Sequence, residues 1–147
     1  MKIELIAIDT DRRAHAELLL LADPSMEMVD KYLDAGEMYA LVEGGEVLSE
    51  AVLLALPTGE VELKNLATRP DRQGRGLGSA LVRALINRCA GRYSAMLVGT
   101  SQTGRPFYER LGFTYLRTEY GFFSRYPEPV WEDGAPLRDM IYLSRTL

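Results

Sequence analysis

Residues 61–85 read VELKNLATRPDRQGRGLGSALVRAL, and the rest of the chain is organised around this stretch. Apolar residues alternate from Val61 to Ala67, which is the pattern of a β-strand, and the alternation stops at the proline that follows. Three glycines then recur at every second position from Gly74, and apolar residues recur at helical spacing from Leu77 onward. The stretch therefore predicts a strand, a glycine-rich loop and a helix that begins where the loop ends.

A glycine-rich loop at the start of a helix is suited to binding a phosphate group. The first N–H groups of a helix have no partner within it, its dipole is positive there, and glycines let an anion approach without a Cβ in the way. A Walker loop is excluded because no Gly-Lys-Ser/Thr follows, and a dinucleotide fingerprint fits poorly because it needs G-x-G-x-x-G after the first strand. A simple chain reversal accounts poorly for three glycines flanked by Arg69, Arg72 and Arg75. The loop therefore predicts a phosphate cradle of another kind.

Length and charge limit the class of protein. The chain has 147 residues, of which 47% are hydrophobic and 26% charged, and its net charge is −4. That length predicts a single domain, residues 1–147, with a full core. Because a phosphate backbone is normally met by a basic surface, the acidic balance argues against general nucleic-acid binding.

Cysteine content and hydropathy indicate a soluble cytoplasmic protein. Cys89 is the only cysteine, so neither an internal disulfide nor a cysteine-based zinc site can form, and we expect no metal. The first eight residues are too short and too acidic for a signal peptide. No apolar segment approaches the ~20 residues needed to span a bilayer, so we expect no membrane partner.

The N-terminal part of the chain predicts three strands and two helices. Residues 3–8 are apolar and predict a largely buried strand, and two short helices follow up to Gly36. Strands at 38–43 and 46–56 flank the dipeptide Gly44-Gly45, which suits a tight hairpin turn. Together with the strand of the opening stretch, they predict an antiparallel meander.

The C-terminal part predicts a change to parallel pairing. Residues 95–98 read as a buried strand after the long helix, and a strand–helix–strand crossover predicts two parallel neighbours. A short helix over 105–111, an aromatic-rich strand over 113–126, a turn-rich segment and a last strand over 138–147 complete the chain. The predicted fold is α/β, with the order βααβββαβαββ in one mixed sheet and helices on both faces.

Three motifs resemble one known family. The segment QGRGLG, residues 73–78, resembles the acyl-CoA pyrophosphate loop of the GNAT superfamily of N-acetyltransferases. Residues 62–68, ELKNLAT, resemble that family's fourth strand, and residues 107–113, FYERLGF, resemble its Tyr-x-x-x-Gly-Phe segment. Residues 126–140 are similar, more loosely, to a small bacterial subgroup. The resemblance covers nearly the whole chain and implies an enzyme that uses acetyl-CoA as acyl donor.

The resemblance assigns the donor site to the strand and the loop. In the family the strand backbone near residues 66–68 hydrogen-bonds the pantetheine arm, much as a sheet edge binds a peptide. The N–H groups at 73–78 would hold the pyrophosphate, with a charged contact from Arg72 or Arg75. Ser101 stands where the family often has an asparagine that contacts the cofactor. The implied cofactor-binding residues are Leu66, Ala67, Thr68, Gln73, Gly74, Arg75, Gly76, Leu77, Gly78 and Ser101.

Acetyl transfer to an amine needs a neutral nucleophile and a proton for the departing thiolate. Tyr108 matches the family's tyrosine beside the sulfur, which implies a general acid; the alternative is a packing role for its ring. Glu62 occupies a position where some members carry a general-base glutamate; the alternatives are a solvated side chain, or Glu60 as the base. The lack of a positioned cysteine nucleophile argues for direct attack in a ternary complex.

The resemblance leaves the acceptor open. The first hypothesis is the primary amine of a small molecule; the alternatives are N-terminal acetylation of a protein or peptide, and a CoA-binding regulatory module without catalysis. Packing or solvation explains two groups of side chains equally well, but both are candidates for the acceptor site. The candidates for its wall are Phe122, Phe123, Tyr126 and Trp131. The candidates for an acidic rim are Glu27, Asp30, Asp34 and Glu37. If the chain oligomerises, a C2 homodimer is the commonest arrangement.

Overall fold

A seven-stranded mixed sheet forms the centre of the computed structural model, which describes residues 2–147. The strands are β1 (Ile3–Ile8), β2 (Glu37–Glu43), β3 (Glu46–Ala55), β4 (Val61–Thr68), β5 (Ala95–Thr100), β6 (Thr114–Glu119), β7 (Trp131–Glu132), β8 (Ala135–Pro136) and β9 (Met140–Thr146). The order in the main sheet is β1-β2-β3-β4-β5-β9-β6, and β7 and β8 form a separate hairpin. The predicted mixed α/β sheet is confirmed.

Four α-helices lie against the sheet. They are α1 (Ala16–Ala22), α2 (Met26–Asp30), α3 (Leu77–Cys89) and α4 (Arg105–Arg110), with short 3₁₀ helices at Arg12–His15, Pro70–Arg72 and Phe122–Arg125. Leu81, Val82 and Leu85 of α3 are buried on one face of the sheet, where Cys89 is also buried. Leu19 of α1 is buried on the opposite face. Helices therefore cover both faces, as predicted.

The parallel pairing of β4 with β5 is short. Val61 to Leu63 lie beside Met96 to Val98, and no further pair joins the two strands. β4 nevertheless continues to Thr68 and remains paired with β3 on its other side. β4 and β5 therefore diverge, and the sheet opens between them.

β4 contains a β-bulge at Lys64. Leu53 of β3 lies opposite Leu63, and the next residue back, Val52, lies opposite Asn65, so Lys64 is an extra residue on β4. An extra residue in one strand reverses the faces to which the following side chains point. Leu63 accordingly packs in the core below α3, whereas Asn65 donates hydrogen bonds on the α1 side of the sheet.

One carboxyl group is buried in the sheet without a partner. Glu50 of β3 lies between Ala40 of β2 and Ala67 of β4 and is fully buried. Neither of its carboxylate oxygens makes a hydrogen bond to any of residues 2–147. Burial raises the pKa of Glu50 to about 8, because desolvation disfavours its charged form.

Two predictions about strands are wrong. β1 is an edge strand that is mostly exposed, because only β2 pairs with it and only Ile8 at its end joins the core under α1 and α2. The predicted strand over 113–126 ends at Glu119, since Gly121, at φ 70°, turns the chain into a 3₁₀ helix. The turn-rich segment after it holds the β7–β8 hairpin, whose two turn residues, Asp133 and Gly134, both have positive φ.

Candidate active site

Two adjoining cavities occupy the gap between β4 and β5. The larger has a volume of about 530 Å³ and the smaller about 430 Å³. Six residues line both cavities: Leu21, Leu66, Thr100, Ser101, Tyr108 and Glu132. The cavities therefore meet where the two strands diverge, and a molecule in one can reach a molecule in the other.

Part of the predicted cofactor site lines the smaller cavity. Its wall includes Leu66, Ala67, Thr68, Gln73, Gly78 and Ser101. Gly74, Arg75, Gly76 and Leu77 do not line it but lie in the loop and first turn of α3 that connect Gln73 to Gly78. The strand edge and the loop are joined, because Gln73 Nε2 donates to the carbonyl oxygen of Thr68 at 3.1 Å.

The glycine loop has the backbone that a phosphate site requires. Gly74 and Gly76 have φ near +79° and +78°, and a Cβ at either position would meet no atom within 4 Å. Ala80 is the first residue of α3 to donate back to Gly76, so the N–H groups at 77–79 precede the first helical hydrogen bond. These open donors at the positive end of a 13-residue helix fit a pyrophosphate.

The arginines around the loop differ in their partners. Arg69 forms an ion pair with Glu46 at 2.9 Å, and Arg72 lies 3.6 Å from Glu43. Both pairs tie the loop to the β2–β3 hairpin. Arg75 is exposed and forms no ion pair with any of the residues described, so its charge is available to an anion in the loop.

Glu62 lies in the wall of the larger cavity only. Its Oε2 is 3.3 Å from Nζ of Lys64, and its side chain is 14% exposed. The pKa of nearby Tyr142 is raised to about 12, mainly by burial and secondly by the negative charge of Glu62. Glu60, the substitute candidate, lies in the turn before β4, accepts a hydrogen bond from Thr58, and lines neither cavity.

Tyr108 lies at the junction of the cavities. Its ring packs edge-on against Phe107 and Phe113, with centroids at 4.9 and 5.7 Å. Its hydroxyl makes no hydrogen bond to any residue from 2 to 147. Burial raises the pKa of Tyr108 above its ordinary value of 10, because desolvation disfavours the phenolate. The side chain therefore presents a protonated, unpartnered O–H donor.

Residues 121–137, here called the cap segment, contribute one side of the larger cavity. Tyr126 OH donates to Oδ1 of Asp23 at 2.9 Å, and Tyr32 OH donates to Oδ2 of the same carboxylate at 2.9 Å. Asn65 in turn donates to Tyr32 OH at 3.1 Å. Burial, and secondarily the Asp23 charge, raises the pKa of both tyrosines. Asp23 could not be predicted from the sequence, because its link to Tyr126 spans 103 positions.

Ser101 lies in the predicted cavity, but its hydroxyl is engaged. It donates to Oε1 of Glu132 at 2.7 Å and accepts from the N–H of Gly104 at 3.2 Å. Thr103 donates to the next hairpin residue, Asp133, at 2.9 Å. The β7–β8 hairpin is thereby attached to the loop between β5 and α4.

The aromatic and acidic candidates have different outcomes. All four aromatic candidates line the larger cavity: Phe122, Phe123, Tyr126 and Trp131. The acidic candidates do not form a rim, because none of Glu27, Asp30, Asp34 and Glu37 lines the cavity, and the alternative of a solvated face applies to them. Asp30 and Asp34 pair instead with Arg13, and Glu37 pairs with Arg92.

Residues 2–147 contain no group of three His, Cys, Asp or Glu side chains arranged to hold a metal ion. Within the same range, every helix is too short or too polar to cross a bilayer.

Comparison with known proteins identifies relatives of the whole chain. A family model described as "Acetyltransferase (GNAT) domain" matches residues 34–115. YvbK, an uncharacterized N-acetyltransferase of Bacillus subtilis (strain 168), is 35% identical over 132 residues, which cover 86% of this chain and 85% of the relative. The crystal structure of a GNAT family acetyltransferase from Elizabethkingia anophelis with acetyl-CoA bound has a TM-score of 0.91 and 34% identity, covering 99% of this chain and 98% of that one. A Bacillus subtilis acetyltransferase crystallised with CoA has a TM-score of 0.89 and 32% identity, covering 99% of both chains.

Proposed function

The chain belongs to the GNAT family of N-acetyltransferases, and we propose that it moves the acetyl group of acetyl-CoA to the primary amine of a small molecule. We further propose that residues 1–147 form one such domain and act in the cytoplasm. The observation that carries the proposal is the meeting of two cavities at Tyr108, one beside the glycine loop and the other beneath the cap segment.

We assign the donor to the smaller cavity. Two relatives of 34% and 32% identity hold acetyl-CoA or CoA. The edge of β4 at residues 66–68 has no strand partner on the β5 side, so it is free to pair with the amides of a pantetheine arm. The open N–H groups of the 73–78 loop suit the pyrophosphate, and Arg75 supplies a positive charge.

We assign the chemistry to Glu62 and Tyr108. Glu62 accepts the proton of the amine, directly or through one water, and the nitrogen forms its bond to the thioester carbonyl carbon. As the carbon–sulfur bond breaks, Tyr108 donates its proton to the sulfur. Direct attack is supported by the position of Cys89, the last residue of α3, which is buried against the sheet and lines neither cavity.

A small-molecule acceptor is favoured over a peptide. Ligand cavities for small molecules are typically about 300–1,000 Å³, and the larger cavity, at about 530 Å³, falls in this range. An extended peptide would need an open groove across the sheet. The cap segment lies over that path and is tied to Asp23 through Tyr126.

The direct test is a thiol-release assay with acetyl-CoA and a panel of alkylamines, arylalkylamines, polyamines and short peptides. We expect turnover with at least one small amine, an N-acetylated product in the mass spectrum, and none with peptides. Titration of CoA into the protein is measured in parallel. CoA binding without turnover of any amine would contradict the proposal and favour a sensing module.

A further inference from the structure

The residues common to both cavities contain a single carboxylate. The carboxylate belongs to Glu132. The other five residues are apolar or carry a hydroxyl group: Leu21, Leu66, Thr100, Ser101 and Tyr108. Under the proposed function, the acceptor nitrogen must lie at this junction, because it has to contact the thioester carbon. Glu62 lines the larger cavity alone.

The carboxylate of Glu132 is held in place and keeps one oxygen free. Oε1 accepts the short hydrogen bond from Ser101. Oε2 makes no hydrogen bond to any residue in the described part of the chain. The side chain is half-buried, and the Thr103–Asp133 bond fixes the hairpin one residue away. Glu132 therefore presents a fixed hydrogen-bond acceptor at the point where acetyl-CoA and the amine would meet.

An aliphatic amine reaches the protein as an ammonium ion, since its pKa is near that of lysine, about 10.4. An ammonium in a partly buried site needs a carboxylate partner, because an unpaired charge is costly there. Lys31, Lys64 and Arg125 line the larger cavity, and none of them forms an ion pair with Glu132. Lys64 lies beside Glu62, and Arg125 pairs with Glu119 at 2.7 Å.

We propose that Glu132 binds the ammonium group of the acceptor and holds its nitrogen at the junction, so that the acceptors are cationic alkylamines. The inference rests on the proposed function and adds to it a residue that fixes acceptor class. Aromatic side chains such as Trp131, 65% exposed beside Glu132, suit an apolar body on that amine. Glu62 remains the group that takes the proton.

The test compares two probes of equal shape that differ in charge. 2-Phenylethylamine is cationic at pH 7, and 2-phenylethanol is its neutral counterpart. Both are titrated into the CoA-bound protein by calorimetry. We expect the wild type to prefer the amine by roughly 10- to 100-fold, the range for a hydrogen bond to a charged group. Glu132→Gln, which can still accept from Ser101, should abolish that preference.

The controls separate charge from structure. Glu128→Gln removes an exposed charge from the same segment and should preserve the preference. In turnover assays, Glu132→Gln should raise KM for the amine and leave KM for acetyl-CoA unchanged, whereas a merely structural role would leave both unchanged. Equal affinities of wild type for the two probes, or a preference that survives in Glu132→Gln, would overturn the inference. These outcomes need no turnover, so they are distinct from failure of the acetyltransferase proposal.

Discussion

Replacement of Tyr108 by phenylalanine removes one oxygen from the junction of the two cavities and changes little else. The ring that remains keeps its edge-on contacts with Phe107 and Phe113. The lost hydroxyl has no hydrogen-bond partner among residues 2–147. We therefore expect the free energy of unfolding to change by less than about 0.5 kcal/mol, and the affinity for acetyl-CoA to be retained.

The expected effect lies in kcat. Positioned general acids contribute typically 10²–10⁴-fold. A thiolate whose conjugate acid has a pKa of about 8.5 is already a reasonable leaving group, so the lower end applies here. We expect a fall of about 100-fold, equivalent to about 2.7 kcal/mol in the activation free energy. Since burial raises the pKa of Tyr108 above its ordinary value of 10, the general acid should stay protonated, and kcat should be kept, beyond pH 10.

The assay is thiol release under single-turnover conditions, so that product release does not hide the chemical step. Tyr93→Phe is the matched control, because Tyr93 is half-buried and lines neither cavity. A Tyr108→Phe rate within threefold of the wild type would refute the assignment of Tyr108 as general acid. Chemical denaturation and CoA titration check that both variants are folded.

Three further predictions concern the loop, the base and the sheet. Gly76→Asp should weaken acetyl-CoA binding more than tenfold, as measured by calorimetry, because it adds a negative charge to the loop at a φ of +78°. The control is Gly91→Asp, at a φ of +84° in open space outside the loop, which should leave the affinity unchanged. Glu62→Gln should lower kcat about 100-fold, while Glu60→Gln stays near wild type; equal losses would contradict the assignment. The folded pKa of Glu50, about 8, exceeds its unfolded value of 4.5, so its contribution to stability is full below pH 4.5 and falls until about pH 8. Relative to Glu50→Gln, the wild type should therefore lose on the order of 5 kcal/mol across that window in urea denaturation, and parallel profiles would exclude this account.

Local patterns predicted the elements that depend mainly on neighbouring residues. The 3.6-residue spacing from Leu77 predicted the start of α3 correctly, because the apolar stripe of this helix is buried continuously against one face of the sheet. Gly44 and Gly45 both adopt positive φ in the predicted hairpin turn. The prediction that β1 is largely buried is wrong because burial depends on distant strands. An apolar composition cannot reveal that a strand lies at the edge of the sheet, where Ile3 and Ile6 are exposed.

In the candidate site, too, residues that are close together in the sequence could be predicted and distant ones could not. Residues 66–68, Gln73 and Gly78 could be predicted, since they follow one another along the strand and loop that line the smaller cavity. Glu132 could not, because its bond to Ser101 depends on how the cap segment folds back over 31 positions. The Asp133-Gly134 dipeptide was an available signal for that hairpin, as both residues favour the positive φ of a tight turn.

The bulge at Lys64 also determines which changes in length the chain tolerates. Deleting Lys64 would remove only the extra residue: Leu63 would stay opposite Leu53 and Asn65 opposite Val52, so the later side chains would keep their faces. Deleting a residue after the bulge, such as Leu66, would instead move Ala67 and Thr68 to the opposite faces. A one-residue deletion should therefore preserve the strand register at Lys64 and abolish function at Leu66, and libraries that shuffle segments between relatives should place their crossovers outside β4.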